Sequence, residues 1–192
     1  MIKQDNQKGV ISLHVWFVVC LMIVFVCSHY FVNFMEKTGT RLEQDKLLLF
    51  ANTAASVLNP QILALPEMLD ESEQAEAYLG VTEQLVRMEG QCASINCKWL
   101  YLMFLDSDNN ILFGPDSIPW SSDDHAIPGE IWEGAPLELH QILVDQTALI
   151  TAPYNDEWGD WVSAFVPIFD SDAQIVALLG VDVGISNWQK TI

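Results

Sequence analysis

The sequence predicts an α+β domain carried on one transmembrane helix, and three observations lead there. From Val10 to Met35 no Asp, Glu, Lys or Arg interrupts an apolar run. Between Glu36 and Met88 apolar residues fall at helical spacing, and from Trp99 on they gather into short strand-like runs separated by Asp, Asn, Gly and Pro. The 192 residues suffice for one domain beside an anchor.

The apolar run is longer than the ~20 helical residues that cross ~30 Å of hydrocarbon. His14, His29 and Asn33 stand near its ends, where polar groups reach the interface, and Val15 to Cys27 is wholly apolar. No small-x-small cleavage site follows, and Val19 and Val26 precede Cys20 and Cys27 where a lipoprotein signal needs a small residue. The helix is therefore expected to be retained. Lys3 and Lys8 before it point the N-terminus to the cytoplasm. The reading is a cytoplasmic segment at 1–9, a transmembrane helix at 10–35 and an extracytoplasmic domain at 36–192. In a Gram-negative cell that is the inner membrane, crossed once, with the domain in the periplasm and the lipid bilayer as a partner.

Leu42, Leu47, Leu48, Ala51, Ala54, Ala55 and Leu58 make Glu36–Leu58 a helix that Asn59-Pro60 ends. Glu73–Met88 is a second. Trp99–Leu105 is a strand, Asp106–Asn110 a turn and Ile111–Phe113 its return strand, stopped by Gly114-Pro115. The stretch from Pro115 to Glu133 is irregular, with a short helix expected at Pro128–Trp132 and a longer one at Pro136–Val144. Ala148–Ala152, Trp161–Phe169 and Gln174–Val183 complete a five-stranded antiparallel sheet flanked by helices. Asp106-x-Asp108-x-Asn110 opens like a calcium loop, but Ile111 stands where glycine is needed, so a hairpin is expected and no metal site.

Cys20 and Cys27 read as small hydrophobes in the membrane. Cys92 and Cys97 are spaced to close a short loop as a disulfide in an oxidising compartment, the alternative being two unpaired thiols. Net charge is −18, and between Trp99 and Gln189 there are fifteen Asp and Glu and no Lys or Arg. Such a surface repels nucleic acid.

The closing segment is the most specific. It reads PYNDEWGDWVSAFVPIFD from Pro153 to Asp170 and VALLGVDV from Val176 to Val183. It resembles the PAS-like extracytoplasmic sensors called Cache or PDC domains, found in bacterial histidine kinases, diguanylate cyclases and chemoreceptors. Ile127–Ile131 and Trp188 are similar to sensor histidine kinases in particular. The resemblance covers roughly residues 36 to 190. It implies a PAS-like fold, a sensor module binding a small ligand without a cofactor, and a homodimer. It also implies that the sequence stops short of a second membrane helix and a kinase or cyclase output domain, so that no enzyme is expected in this stretch.

Trp158 and Trp161 bracket Gly159, so two indoles either wall a concave site or sit in the core. Asp182, between Val181 and Val183, is either on an open face or buried with a partner. The resemblance implies that an aspartate in this strand reaches the ligand pocket. Ser163, Tyr154, Tyr101 and Phe113 complete the candidate ligand-binding set, with core positions as the alternative for Tyr101 and Phe113. His125 and His140 read as surface residues. Cache sensors for carboxylates hold them with an arginine, and only Arg87 and Lys98 are candidates here. The ligand expected is therefore an amine, a cation or a neutral solute.

Two other functions are open. Lys8-Gly9 before an apolar helix looks like a prepilin site, but His14 stands where major pilins carry glutamate. An enzyme would need a catalytic constellation, and four scattered histidines make none.

Overall fold

The structure is a computed structural model describing residues 2–58, 71–119, 122 and 124–191, with side chains described for 15–58, 76–119, 122 and 124–188. The expected stop at Asn59-Pro60 lies outside the described residues. The chain divides into two compact units, Met1–Arg41 and Leu42–Ile192.

Helix α1, Ile2–Val57, supplies all of the first unit's described backbone. It is long and apolar enough to cross a membrane, and large side chains from Trp16 (66% exposed) through Phe25 (76%) stand on its surface. His29 and Asn33, one turn apart, bond to each other (3.1 Å), which pairs two polar groups within an apolar stretch.

The second unit is built on one antiparallel sheet. Its strands are β1 (Cys97–Leu105), β2 (Ile111–Asp116), β3 (Leu149–Ile150), β4 (Tyr154–Asp156), β5 (Gly159–Phe169) and β6 (Ile175–Gly184). The order is β2-β1-β6-β5-β3, with β4 also paired to β5. Further helices are α2 (Glu71–Glu89), α3 (Leu139–Asp145) and α4 (Ile185–Thr191), with a 3-10 turn at Cys92–Ser94.

Side chains alternate along strands, and here both faces are covered. Leu100, Leu102, Val162, Ala164, Val181 and Val183 point to one core, which also holds Leu47, Ala51, Ala54 and Leu58 of α1 and Val81 and Leu85 of α2. Tyr101, Met103, Phe165 and Leu178 point to the other, with Trp132 and with Leu139 and Ile142 of α3. Cys92 and Cys97 form a disulfide, their Cα atoms 5.7 Å apart. Both long hairpins close on an aspartate. Asp106 Oδ1 accepts the N–H groups of Asp108 and Asn110, and Asp170 Oδ1 those of Asp172 and Gln174.

The fold class stands as expected, and four details differ. The sheet has six strands where five were expected: Tyr154–Asp156 pairs with Gly159–Trp161 across the two-residue turn Glu157-Trp158, and the Asn, Asp and Gly of the paired segments themselves read as loop. Strand β2 runs through Gly114-Pro115 to Asp116, proline being tolerated near a sheet edge. Pro128–Trp132 is no helix. Gly129 takes φ +82°, and the segment bonds to β2 instead, with Phe113 N–H donating to Glu130 O (2.9 Å) and Trp132 N–H to Ile111 O (2.8 Å). A helix after the last strand, α4, was not anticipated.

Candidate functional site

Strand parity brings the expected residues to one face. Across β1, β6 and β5, Trp99 faces Asp182 and Asp182 faces Ser163. The β4–β5 turn folds over the end of this row. Asp156 Oδ1 accepts the backbone N–H of Trp158 and Gly159 (3.0 Å each) and the indole N–H of Trp161 (2.8 Å). One carboxylate oxygen therefore shapes the turn and aims an indole. Gly159, at φ +147°, lies under that ring: a Cβ there would come 2.9 Å from it.

Between the sheet face and the segment following β2 lies a recess of about 420 Å³ including its mouth. Trp99, Tyr101, Phe113, Trp132, Trp158 and Trp161 line it, together with Asp116, Asp124, Asp156 and Asp182. The rings form a connected wall. Trp99 and Trp161 are 5.0 Å apart between centroids, and Phe113 contacts Trp132 (5.6 Å) and Trp158 (5.5 Å). Outward the recess shares Phe113, Trp132, Asp156 and Trp158 with a wider groove that Ile127, Ile131 and Glu157 continue.

Asp182 is 4% exposed. Its Oδ1 accepts the hydroxyls of Tyr101 (2.9 Å) and Ser163 (2.6 Å). Ser163 Oγ lies 2.9 Å from the Tyr154 hydroxyl, and because the serine's single proton goes to Asp182, Tyr154 is the donor there. Burial pushes the Asp182 carboxyl up to about 7, further than the Ser163 and Tyr101 hydroxyls draw it down; Asp156 adds to the rise and Lys98 opposes it. Burial, with Asp182 beside them, also raises the Tyr101 and Tyr154 phenols.

On the opposite wall Asp116 holds the segment after β2. It accepts the N–H of Ile118 (3.0 Å), and His125 Nδ1 stands 3.0 Å from each of its oxygens. When the Asp116 carboxylate is ionised it can only accept, and Nδ1 is then the donor in this contact. Burial raises the Asp116 carboxyl, and His125 counters part of that rise. His125 is thus not the surface residue expected; its side chain is 9% exposed, held by a partner nine residues away. His140 is exposed, as expected.

Of the candidate set, Trp158, Trp161, Asp182, Tyr101 and Phe113 line the recess. Ser163 and Tyr154 stand behind it and reach it through Asp182. Trp99, Trp132, Asp116, Asp124 and Asp156 were not singled out. Trp99 shares the parity of Tyr101, and Asp156 sits two residues before the Trp-Gly pair, so both carry a local signal. Trp132 arrives through its backbone bond to Ile111, Asp116 through the extension of β2 past Gly114-Pro115, and Asp124 beside His125, and none of the three carries a local signal. Lys98 sits at a β-bulge opposite Val183 and Asp182, its Nζ 3.8 Å from the Trp99 ring centre and 5.1 Å from that of Trp161. Arg87 pairs with Glu83 on the exposed face of α2. Among the described residues no three His, Cys, Asp or Glu side chains are grouped to hold a metal ion.

The sequence matches no protein-family model and no curated protein. Solved structures do match. The sensor domain of DcuS from E. coli aligns at 12% identity over 80% of this chain and 97% of that one, with a TM-score of 0.56. The sensory domain of the Campylobacter jejuni chemoreceptor Tlp3 aligns at 18% identity over 81% of this chain, with a TM-score of 0.50. The chain spans about three fifths of the Tlp3 structures, 59% and 61% of their length.

Proposed function

We propose, on the premise that its fold is that of Cache/PDC-type periplasmic sensor domains, that this chain is the ligand-binding module of a membrane signal-transduction receptor. In this reading residues 10–35 anchor it in the bacterial inner membrane, 36–192 lie in the periplasm, and the chain works as a homodimer. The output is a histidine kinase, following the resemblance of Ile127–Ile131 and Trp188. The domain binds and does not catalyse.

The recess is the ligand site, and its ligand is a small amine or other organic cation, with neutral solutes next and carboxylates last. One observation carries this: the lining combines six aromatic rings with four carboxylates and contains no Lys or Arg. Ring faces attract an ammonium group electrostatically, and buried carboxylates supply the opposite charge. A dicarboxylate would meet like charge on several sides and find Lys98 only outside the lining. Lys98 itself illustrates the chemistry, since its ammonium already rests on the Trp99 ring.

Isothermal titration calorimetry on the full chain in detergent tests this. The panel is methylammonium, tetramethylammonium and putrescine against succinate, citrate and glycerol. At least one amine is expected to bind, and Trp161→Ala to weaken it tenfold or more. Tight binding of succinate or citrate alone would overturn the ligand class.

A further inference from the structure

The recess holds its carboxylates in two different ways. Asp116 has His125 beside it. Asp182 has only hydroxyls: Tyr101 and Ser163 both donate to Oδ1, and no hydrogen bond of the described residues ends on Oδ2. No Lys, Arg or His among the described residues forms an ion pair with it. Yet Asp182 lines the recess and is 4% exposed. An ionised carboxylate in that position is largely withdrawn from solvent and has only the charge of Lys98, which is not paired with it, to offset the cost; a protonated one bears no such cost.

We propose that cation binding in the recess is proton-coupled, Asp182 surrendering its proton to solvent as the ligand's positive charge takes its place, so that occupancy reports acidity and ligand together. This rests on the reading of the recess as a cation site. The balance is simple: a neutral carboxyl and a free cation become a carboxylate paired with that cation, and one proton leaves. No covalent bond changes except O–H. The direction is also clear. Acid protonates Asp182 and competes with the cation; alkali prepares the site.

The surroundings of Asp182 favour this over the other acids. From β1 it faces Tyr101, with Lys98 at the bulge beside Trp99; from β5, Ser163; from β4, Tyr154 and Asp156. Across the recess stand Asp116, Asp124 and His125. Tyr101 and Tyr154 are raised away from neutrality and stay protonated. Asp156 spends Oδ1 on three N–H donors, which commits it to holding the β4–β5 turn. Asp116 has the His125 ring 3.0 Å from its carboxylate as a partner. Asp182 is left as the group whose burial places its carboxyl at about 7, inside the range an extracytoplasmic compartment traverses.

The test uses the full chain in detergent, with methylammonium and tetramethylammonium as probes because both stay charged from pH 5.5 to 8.5. Affinity is expected to rise about tenfold per pH unit below the midpoint and to level off above it. Calorimetry at pH 7 in phosphate and in Tris, whose ionisation heats differ, should show about half a proton released per cation bound. Asp182→Asn should abolish both the pH slope and the proton release, while Asp116→Asn keeps the slope. In the empty protein, tryptophan fluorescence should change with a midpoint near 7, and Asp182→Asn should remove that transition. A probe that binds equally at every pH with no buffer-dependent heat overturns the coupling and leaves the cation site standing. A slope that persists in Asp182→Asn also overturns it. Failure of both probes to bind at any pH sinks the cation reading and the coupling with it.

Discussion

Gly180 lies directly under the ring of Tyr101. A methyl group at Gly180 would stand 2.5 Å from two of the ring's carbons and 3.0 Å from its hydroxyl oxygen. The two residues are register partners on β6 and β1, and the missing side chain lets the phenol lie across the sheet and reach Asp182. Gly180→Ala is therefore expected to tilt the ring, break the bond to Asp182 and destabilise the domain by about 1–3 kcal/mol. Urea unfolding followed by fluorescence checks the magnitude; unchanged stability with unchanged near-ultraviolet dichroism would count against a tight contact.

Asp156 is the second control point. Asp156→Ala deprives two backbone N–H groups and the Trp161 indole of their acceptor, and should cost about 1–3 kcal/mol while loosening the aromatic wall. Asp156→Asn keeps an oxygen at Oδ1 and should recover most of that loss. The comparison separates a hydrogen-bonding role from a charge role.

The pH dependence of stability follows from Asp182. Its carboxyl sits at about 7 in the folded state against an ordinary 3.8. Between about pH 4 and 7 the unfolded chain has lost a proton that the folded one keeps, so this group's contribution falls as pH rises through that window and levels above it. Asp182→Asn can still accept both hydroxyls. It should lack that decline and at pH 8 exceed the wild type by on the order of 2–4 kcal/mol. Thermal melts at half-unit pH steps decide it.

Reduction offers a fourth test. The Cys92–Cys97 bridge joins residues five apart in sequence, just ahead of β1. Chain-entropy arithmetic for so short a loop gives about 2 kcal/mol, so the double substitution to serine, or dithiothreitol, should lower the melting temperature by several degrees. An unchanged melt would mean that the α2–β1 junction does not depend on the bridge.

Much of this was legible in the sequence. The closing segment alone names Trp161, Ser163 and Asp182 as candidates, and the apolar run from Val10 announces a long apolar helix. The sequence left open which sheet face carries the recess, because both faces are buried: Val181 and Val183 look as much like core as Leu178 does. Strand β4 hid inside turn-forming residues, since Asp156 and Gly159 serve the turn and the ladder at once. Trp132 and Asp124 belong to a segment held by bonds to β2 and by the Asp116–His125 pair, and no periodicity encodes such contacts. His125 was misplaced for the same reason.

The sheet in this domain is a partition one backbone thick. On β6, Val181 and Val183 belong to the core shared with α1 and α2, while Asp182 between them opens on the other side. The recess and the core are thus separated by a single peptide unit. Whatever alters the seating of Asp182 shifts the same carbonyls and amides that seat the two valines, and a close-packed core has little slack to absorb it. The strand behaves as a shared wall between two rooms, where a knock on one side is heard on the other.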